Sequence, residues 1–182
     1  MYTLSIEGRN LINPLIYDKL YNARNNLVKE ITLLSDAQFN SKPDLNTWSI
    51  AQVCYHLVLV EEASLKAIAW GIRKSDLAQQ ERKEIPLLLL DRTKKLKAPN
   101  IVEPTVKPFE VQQIIGLLND SRKKLLAFLS TIEDKSILAK KSVQHPALGE
   151  LPLDQWLEQI YLHEQRHTEQ IKEIKLFLDM RH

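Results

Sequence analysis

The sequence predicts an all-α fold: a four-helix bundle with a long crossover connection between helices 2 and 3. Three observations carry that expectation. Only four glycines occur among 182 residues, and the apolar–polar alternation of half-buried strands is scarce. Apolar residues instead recur in steps of three and four along four separate segments. Between the second and third segments lies a stretch rich in proline and charge, roughly Ser75 to Pro108. Connections of that length are uncommon unless they cross over the structure or cover a site. Four amphipathic stripes bury their apolar faces most economically against one another.

In the first segment Asn13 and Pro14 supply a cap and a favoured first helical position. Ile16, Leu20, Ala23, Leu27, Ile31 and Leu34 follow at helical spacing, so a helix is expected from about residue 14 to about residue 35. The polar stretch "SDAQFNSKPDLNTW" reads as a connection. Ser49, with Gln52 three residues on, then forms a capping-box pattern opening the second helix. Its expected buried stripe is Val53, His56, Val60, Ala63, Ala67 and Trp70. Within the crossover, "IPLLLL" suggests a short helix packed on the bundle. The third helix carries Val111, Ile114, Leu118, Ser121, Leu125, Phe128 and Ile132. Gly116 weakens it by about 1 kcal/mol relative to alanine if it lies in the interior. The loop "EDKSILAKKSVQHPALGEL" leads to the last helix, with Pro152 in its first turn. The stripe there is Trp156, Ile160, His163, His167, Ile171, Ile174 and Leu178. No internal repeat or low-complexity tract interrupts the chain, which reads as a single domain over 1–182.

Composition excludes several classes. A hydrophobic fraction of 44% is ordinary for a folded domain. A net charge of +2 is too small for a nucleic-acid-binding surface, and the lysine pairs Lys94–Lys95, Lys123–Lys124 and Lys140–Lys141 are scattered, as solvated faces and loops. No apolar run approaches membrane-spanning length, so no membrane partner is expected. The start, "MYTLSIEGRN", has no basic region leading into a long apolar stretch, so no secretory signal is expected. The one cysteine, Cys54, forms no internal disulfide, which fits a reducing, cytoplasmic compartment.

Three histidines stand where apolar residues belong. His163 and His167 lie one turn apart on the core stripe of the last helix, a spacing that brings both imidazoles to one ion. Burying two imidazoles costs desolvation unless each finds a partner, and a shared cation would serve both. The segment "HEQRH" also matches the His-Glu-x-x-His signature of zinc proteases. That reading fails on context. The protease takes a third ligand from downstream, whereas the residues after His167 continue the same helical period, and the expected sheet is absent. Glu169 and Glu173 sit on that same helix and cannot close the site from across it. A third ligand must come from another helix, and His56, on the buried stripe of the second, is the candidate. A lone histidine there would more often be a hydrogen-bonded core residue; the three together favour metal.

The stretches "NTWSIAQVCYHL", "HPALGELPLDQWL" and "HEQRHTEQI", in this order, resemble the DinB-like (damage-inducible, YfiT-like) superfamily over about residues 13 to 178. The resemblance implies a four-helix bundle with a long crossover. It also implies a divalent ion, often zinc or nickel, on three histidines that fall here on His56, His163 and His167. His145 matches a His-Pro turn that looks structural in the family. Members include thiol-dependent transferases and isomerases and proteins described as metal-dependent hydrolases, and homodimers are common. The implied partners are therefore a small-molecule substrate, with or without a low-molecular-weight thiol, and a second copy of the chain.

An ion on three neutral imidazoles keeps positions open, the mark of a catalytic site. Hydrolysis and thiol transfer both remain open, as does a non-enzymatic bundle with a structural or opportunistic metal. If the ion is catalytic, a cavity is expected to reach it. The residues designate no general base. Glu164 faces away from His163 and reads as a solvated charge. Gln52, Gln159 and Gln170 lie within reach of the ligand histidines but read as ordinary polar groups of helix faces. Arg166 is expected to pair with an acid elsewhere. Ser121 either faces the cavity or bonds back to its own helix. Trp48, Trp70 and Trp156 read as core or cap residues, and Cys54 as a small buried side chain.

Overall fold

A computed structural model describes residues 14–74, 80–93 and 97–180. The Asn13 cap and the Lys94–Lys95 pair lie outside the described residues. Four long helices form the bundle: α1 (Pro14–Ile31), α3 (Ile50–Arg73), α5 (Val111–Ser130) and α7 (Leu153–Asp179). Between them lie the short helices α2 (Asp36–Asn40), α4 (Ile85–Leu90) and α6 (Ile137–Lys140). A two-stranded hairpin, β1 (Ser142–His145) and β2 (Gly149–Pro152), precedes α7. The long helix α7 packs on both α1 and α3, and α5 packs on α3. The crossover between α3 and α5 contains α4, which lies on α7, and a turn of 3₁₀ helix at Asn100–Val102, which lies on α3.

Local chemistry sets these boundaries. The hydroxyl of Ser49 accepts from the Gln52 amide while the Gln52 side chain accepts from the Ser49 amide, so α3 starts where its capping box predicts. A second capping box, Ser35–Gln38, opens α2 inside the stretch read as a plain connection. Phe39, fully buried, is the apolar residue that makes α2 worth forming. The first helix accordingly ends at Ile31 rather than near residue 35.

The loop before α7 is more ordered than its sequence suggests. Gly149 turns the hairpin at φ +73°, a conformation that strains residues with a Cβ. His145 Nδ1 accepts the backbone N–H groups of Ala147 and Leu148, each at 3.1 Å, and its ring lies 4.7 Å from that of Trp156. Trp156 Nε1 donates to the Val143 carbonyl at 3.2 Å. Val143 and Leu153 close over Gly71 of α3 so tightly that a Cβ there would lie 2.6 Å from Val143 Cγ2. Lys141, expected to be solvated, is buried instead, and its ammonium donates to the Ile72 and Lys74 carbonyls at the C-terminal end of α3. The hairpin thus pins the start of α7 to the end of α3, which sets how far along the bundle every α7 side chain reaches.

Two apolar clusters fill the bundle. One gathers Leu20, Ile68, Leu125, Leu129 and Leu157 near the hairpin, and the other gathers Leu27, Phe39, Ile50, Leu118 and Ile171. Between them four charged side chains meet. Glu61 of α3 accepts from Arg24 of α1 at 2.7 Å and from Arg122 of α5 at 2.5 Å. Glu164 of α7 accepts from the same two arginines at 2.6 and 2.9 Å. Arg24 also donates to the Leu118 carbonyl of α5, and Arg122 to the Leu20 carbonyl of α1, so α1 and α5 are cross-tied. Burial alone would raise the Glu61 pKa, but Arg122 and Arg24 outweigh it and hold the carboxyl below its usual range.

This quartet corrects two expectations and decides between two alternatives for a third residue. Glu164 is only 2% exposed, not a solvated charge. The buried line of α3 runs through Leu57, Glu61, Ser64 and Ile68 rather than Val60, Ala63 and Ala67, and Trp70 is 51% exposed. An apolar search could not follow a stripe that passes through a glutamate. Ser121 bonds back to its own helix, as one of the two alternatives had it: its single hydroxyl proton is shared between Glu61 at 2.5 Å and the Leu118 carbonyl at 3.0 Å, so it serves the quartet rather than a cavity.

Candidate metal centre

Three helical positions deliver three imidazoles to one point. His56 sits two turns into α3, and His163 and His167 one turn apart on the face of α7 that packs on α3. His163 Nε2 lies 2.7 Å from His167 Nε2 and 3.4 Å from His56 Nε2. The ring centroids are 4.5 to 5.1 Å apart. The three form a group able to hold a metal ion, with every ligand nitrogen within 4.8 Å of the others.

The chemistry of the donors fits a divalent cation. Nitrogens bound at about 2.0–2.1 Å in tetrahedral directions lie about 3.3 Å apart, a value the two closest Nε2 separations bracket. Each ring is also oriented through its other nitrogen, the usual support for a ligating histidine. His56 Nδ1 donates to the Val102 carbonyl of the crossover at 2.7 Å. His167 Nδ1 donates to Gln170 Oε1 at 2.7 Å. Gln159 Nε2 meets His163 Nδ1 at 3.2 Å.

Burial keeps these imidazoles neutral, the form that ligates. Burial lowers the His56 pKa, partly offset by the bond to Val102. It pushes His163 well below the usual range, and the neighbouring imidazoles of His167 and His56 further disfavour a positive charge there. It brings His167 to about 3, with His56 contributing and the Gln170 bond opposing. His56 and His167 are buried, whereas His163 is partly exposed and forms the accessible edge. The Trp48 ring, 5.0 Å from that of His56, covers one side.

The surrounding polar residues divide sharply. Gln159 and Gln170, read as ordinary face residues, both contact ligand rings; their spacing of four and three residues from His163 and His167 was the available signal. Gln52 does not touch His56; it completes the α3 cap and reaches the Thr105 carbonyl. Arg166 donates to the Leu89 and Asp91 carbonyls, tying α4 to α7. Cys54 is fully buried and burial pushes its thiol pKa up, so it offers no nucleophile. A surface cleft of about 470 Å³, lined by Asn26, Lys29, Arg92, Arg166 and Lys172 among others, contains none of the three histidines. Of the three rings, His163 is the most exposed.

His145 lies apart from the trio in its turn. Burial first, and then the Lys83 charge, bring its pKa down to about 4. In an unfolded chain an ordinary histidine titrates near about 6.5. Between those two values the unfolded state binds more protons, so this group's contribution to stability is present above about 6.5 and is lost as the pH falls toward about 4. Urea midpoints measured across this window are expected to fall more steeply for the natural chain than for His145→Asn. Equal slopes would show that the turn histidine does not carry the effect.

A family model described as the DinB superfamily matches residues 19–171. The uncharacterised protein YuaE of Bacillus subtilis (strain 168) is 31% identical over 146 residues, 80% of this chain and 88% of its own length. Among solved structures, YfiT from Bacillus subtilis, described as a probable metal-dependent hydrolase with an unusual four-helix bundle topology, superposes with a TM-score of 0.61 at 16% identity. That match covers 98% of this chain and 94% of YfiT. The four-helix bundle protein TT2238 superposes with a TM-score of 0.58 at 17% identity, covering 88% of this chain and 98% of its own. No described helix is long and apolar enough to cross a membrane.

Proposed function

The chain belongs to the DinB superfamily, and we propose that it is a metal-dependent enzyme acting on a small molecule through a divalent ion, zinc or nickel, held by His56, His163 and His167. The observation that carries this reading is the convergence of three Nε2 atoms from two helices, each ring anchored at Nδ1. A bound ion would supply Lewis acidity, lowering the pKa of a water or a cosubstrate thiol toward neutrality. The chain's own residues do the rest. The Val102 carbonyl and Gln170 keep the protons of His56 and His167 on Nδ1, so their Nε2 lone pairs face inward. Burial lowers the pKa of both rings and so keeps them uncharged at neutral pH. His163, the most exposed of the three, is the ring nearest to solvent.

Hydrolysis is the first reading, supported by the description of the structural neighbour YfiT. The glutamate of "HEQRH" is not its base, because both Glu164 oxygens are held by arginines. Thiol transfer is the second. With Cys54 sealed in the core, the thiol would have to be a separate small molecule.

Elemental analysis of untagged protein dialysed against zinc or nickel and then freed of excess is expected to give about one equivalent per chain. Ester and amide substrates, and separately a low-molecular-weight thiol with an electrophile, are then compared on loaded and chelator-stripped protein. Metal-dependent turnover of the first set identifies a hydrolase, and turnover only with the thiol a transferase. Stoichiometric metal without turnover in either screen supports a non-enzymatic bundle. Failure to retain either metal would sink the reading.

A further inference from the structure

The heavy-atom contacts around the trio favour one placement of each proton. A carbonyl only accepts, so His56 carries its proton on Nδ1, facing Val102 O, and its Nε2 is bare. The same holds for His167, whose Nδ1 faces Gln170 Oε1. His163 Nε2 is 2.7 Å from the bare Nε2 of His167, a distance at which two lone pairs repel. His163 therefore carries its proton on Nε2 and donates it to His167. Its own Nδ1 is then bare and accepts from Gln159 Nε2 at 3.2 Å. The other end of that amide is consistent: Gln159 Oε1 accepts from the Ser64 hydroxyl at 3.5 Å. Ser64 and Gln159 are both buried.

A cation needs the opposite arrangement at His163, with Nε2 bare. Resting on the metal reading above, we propose that Gln159 is a positioning residue whose side-chain amide reverses when a cation enters the trio, as His163 passes from the Nε2–H to the Nδ1–H tautomer. One proton leaves Nε2 and one is taken up at Nδ1, so the ring's charge does not change. The new Nδ1–H would meet the Gln159 amino group unless the amide turns over. Once turned, Oε1 accepts from His163 Nδ1 and the amino group donates to Ser64 Oγ, which can accept as readily as donate. No hydrogen bond of the amide is lost in either state, which suits Gln159 to hold both. His56 and His167 face fixed acceptors and need no change.

Nitrogen NMR of the histidine rings, with the Gln159 side-chain amide resonances, reads both states directly in the full chain. In chelator-treated protein His163 is expected as the Nε2–H tautomer, and zinc is expected to convert it to Nδ1–H and shift the Gln159 amide. Gln159→Glu presents only acceptors, so it should hold His163 Nδ1 protonated before any metal is added and bind zinc about 10-fold more tightly in chelator competition. Gln159→Leu should weaken zinc binding by about 10- to 100-fold. A wild-type His163 already Nδ1-protonated without metal overturns the proposal. Zinc that shifts all three rings while the Gln159 amide stays put overturns it while leaving the metal reading intact. Zinc that moves none of the rings overturns both.

Discussion

Replacing Glu164 with alanine is expected to cost about 3–5 kcal/mol of folding stability, the range for removing one partner from a buried ion pair. The carboxylate is held between Arg24 and Arg122 at 2.6 and 2.9 Å. Its loss leaves two guanidiniums sharing Glu61 alone, in a layer closed above and below by apolar side chains. Desolvation already opposes the charge on Arg122, and Glu164 and Glu61 together overcome it. One of those two carboxylates disappears with the substitution. Glu164→Gln keeps the shape and still removes the charge, so it should also be strongly destabilising. Urea unfolding followed by circular dichroism measures both. A loss below about 1 kcal/mol, the value typical of an exposed pair, would mean that the quartet is not sealed from water. The folded fraction of Glu164→Ala should still take up zinc, because this residue holds arginines and not the ion. A protease-like role for the same glutamate would instead leave stability nearly unchanged.

His163→Ala is expected to do the reverse. Its ring is the centre of the trio, the one within 3.4 Å of both others, so its removal takes away the nitrogen that joins α7's second ligand to His56. Retained zinc should fall from about one equivalent to background in elemental analysis. The stability cost should be modest, about 1–3 kcal/mol for the partners left without their hydrogen bond, chiefly Gln159 and His167. Undiminished zinc in the variant would place the ion elsewhere. Those two outcomes would assign different duties to adjacent residues on one helix: Glu164 to securing the bundle, His163 to holding the cation.

The helices were legible because their stripes are apolar and their caps are local. Ser49 and Gln52 announce the start of α3 within four residues, and Leu118 or Leu125 needs no distant partner to be recognised as core. The three histidines stood out for the same reason, as polar residues on apolar stripes. Glu61, Glu164, Arg24 and Arg122 did not. Each looks like an ordinary surface charge on its own helix, and only the meeting of four helices makes them a neutral, buried set. Lys141 was hidden similarly: its acceptors are carbonyls of α3, about seventy positions earlier in the chain. Gln159 and Gln170 had the right spacing, but spacing cannot say which way an amide points. The α2 capping box is local as well, but the stretch around it is polar and offers no apolar stripe beside it.

The cross-tied layer also bears on how the protein is made. Its members come from α1, α3, α5 and α7 in turn, and the last of them, Glu164, belongs to the final helix. A nascent chain that has left the ribosome only as far as α5 already holds both arginines but a single carboxylate. That fragment carries an excess positive charge at the place its core must close. Only synthesis of α7 brings the neutralising carboxylate, and the same helix delivers His163 and His167, so completing the bundle and assembling the trio belong to one late event.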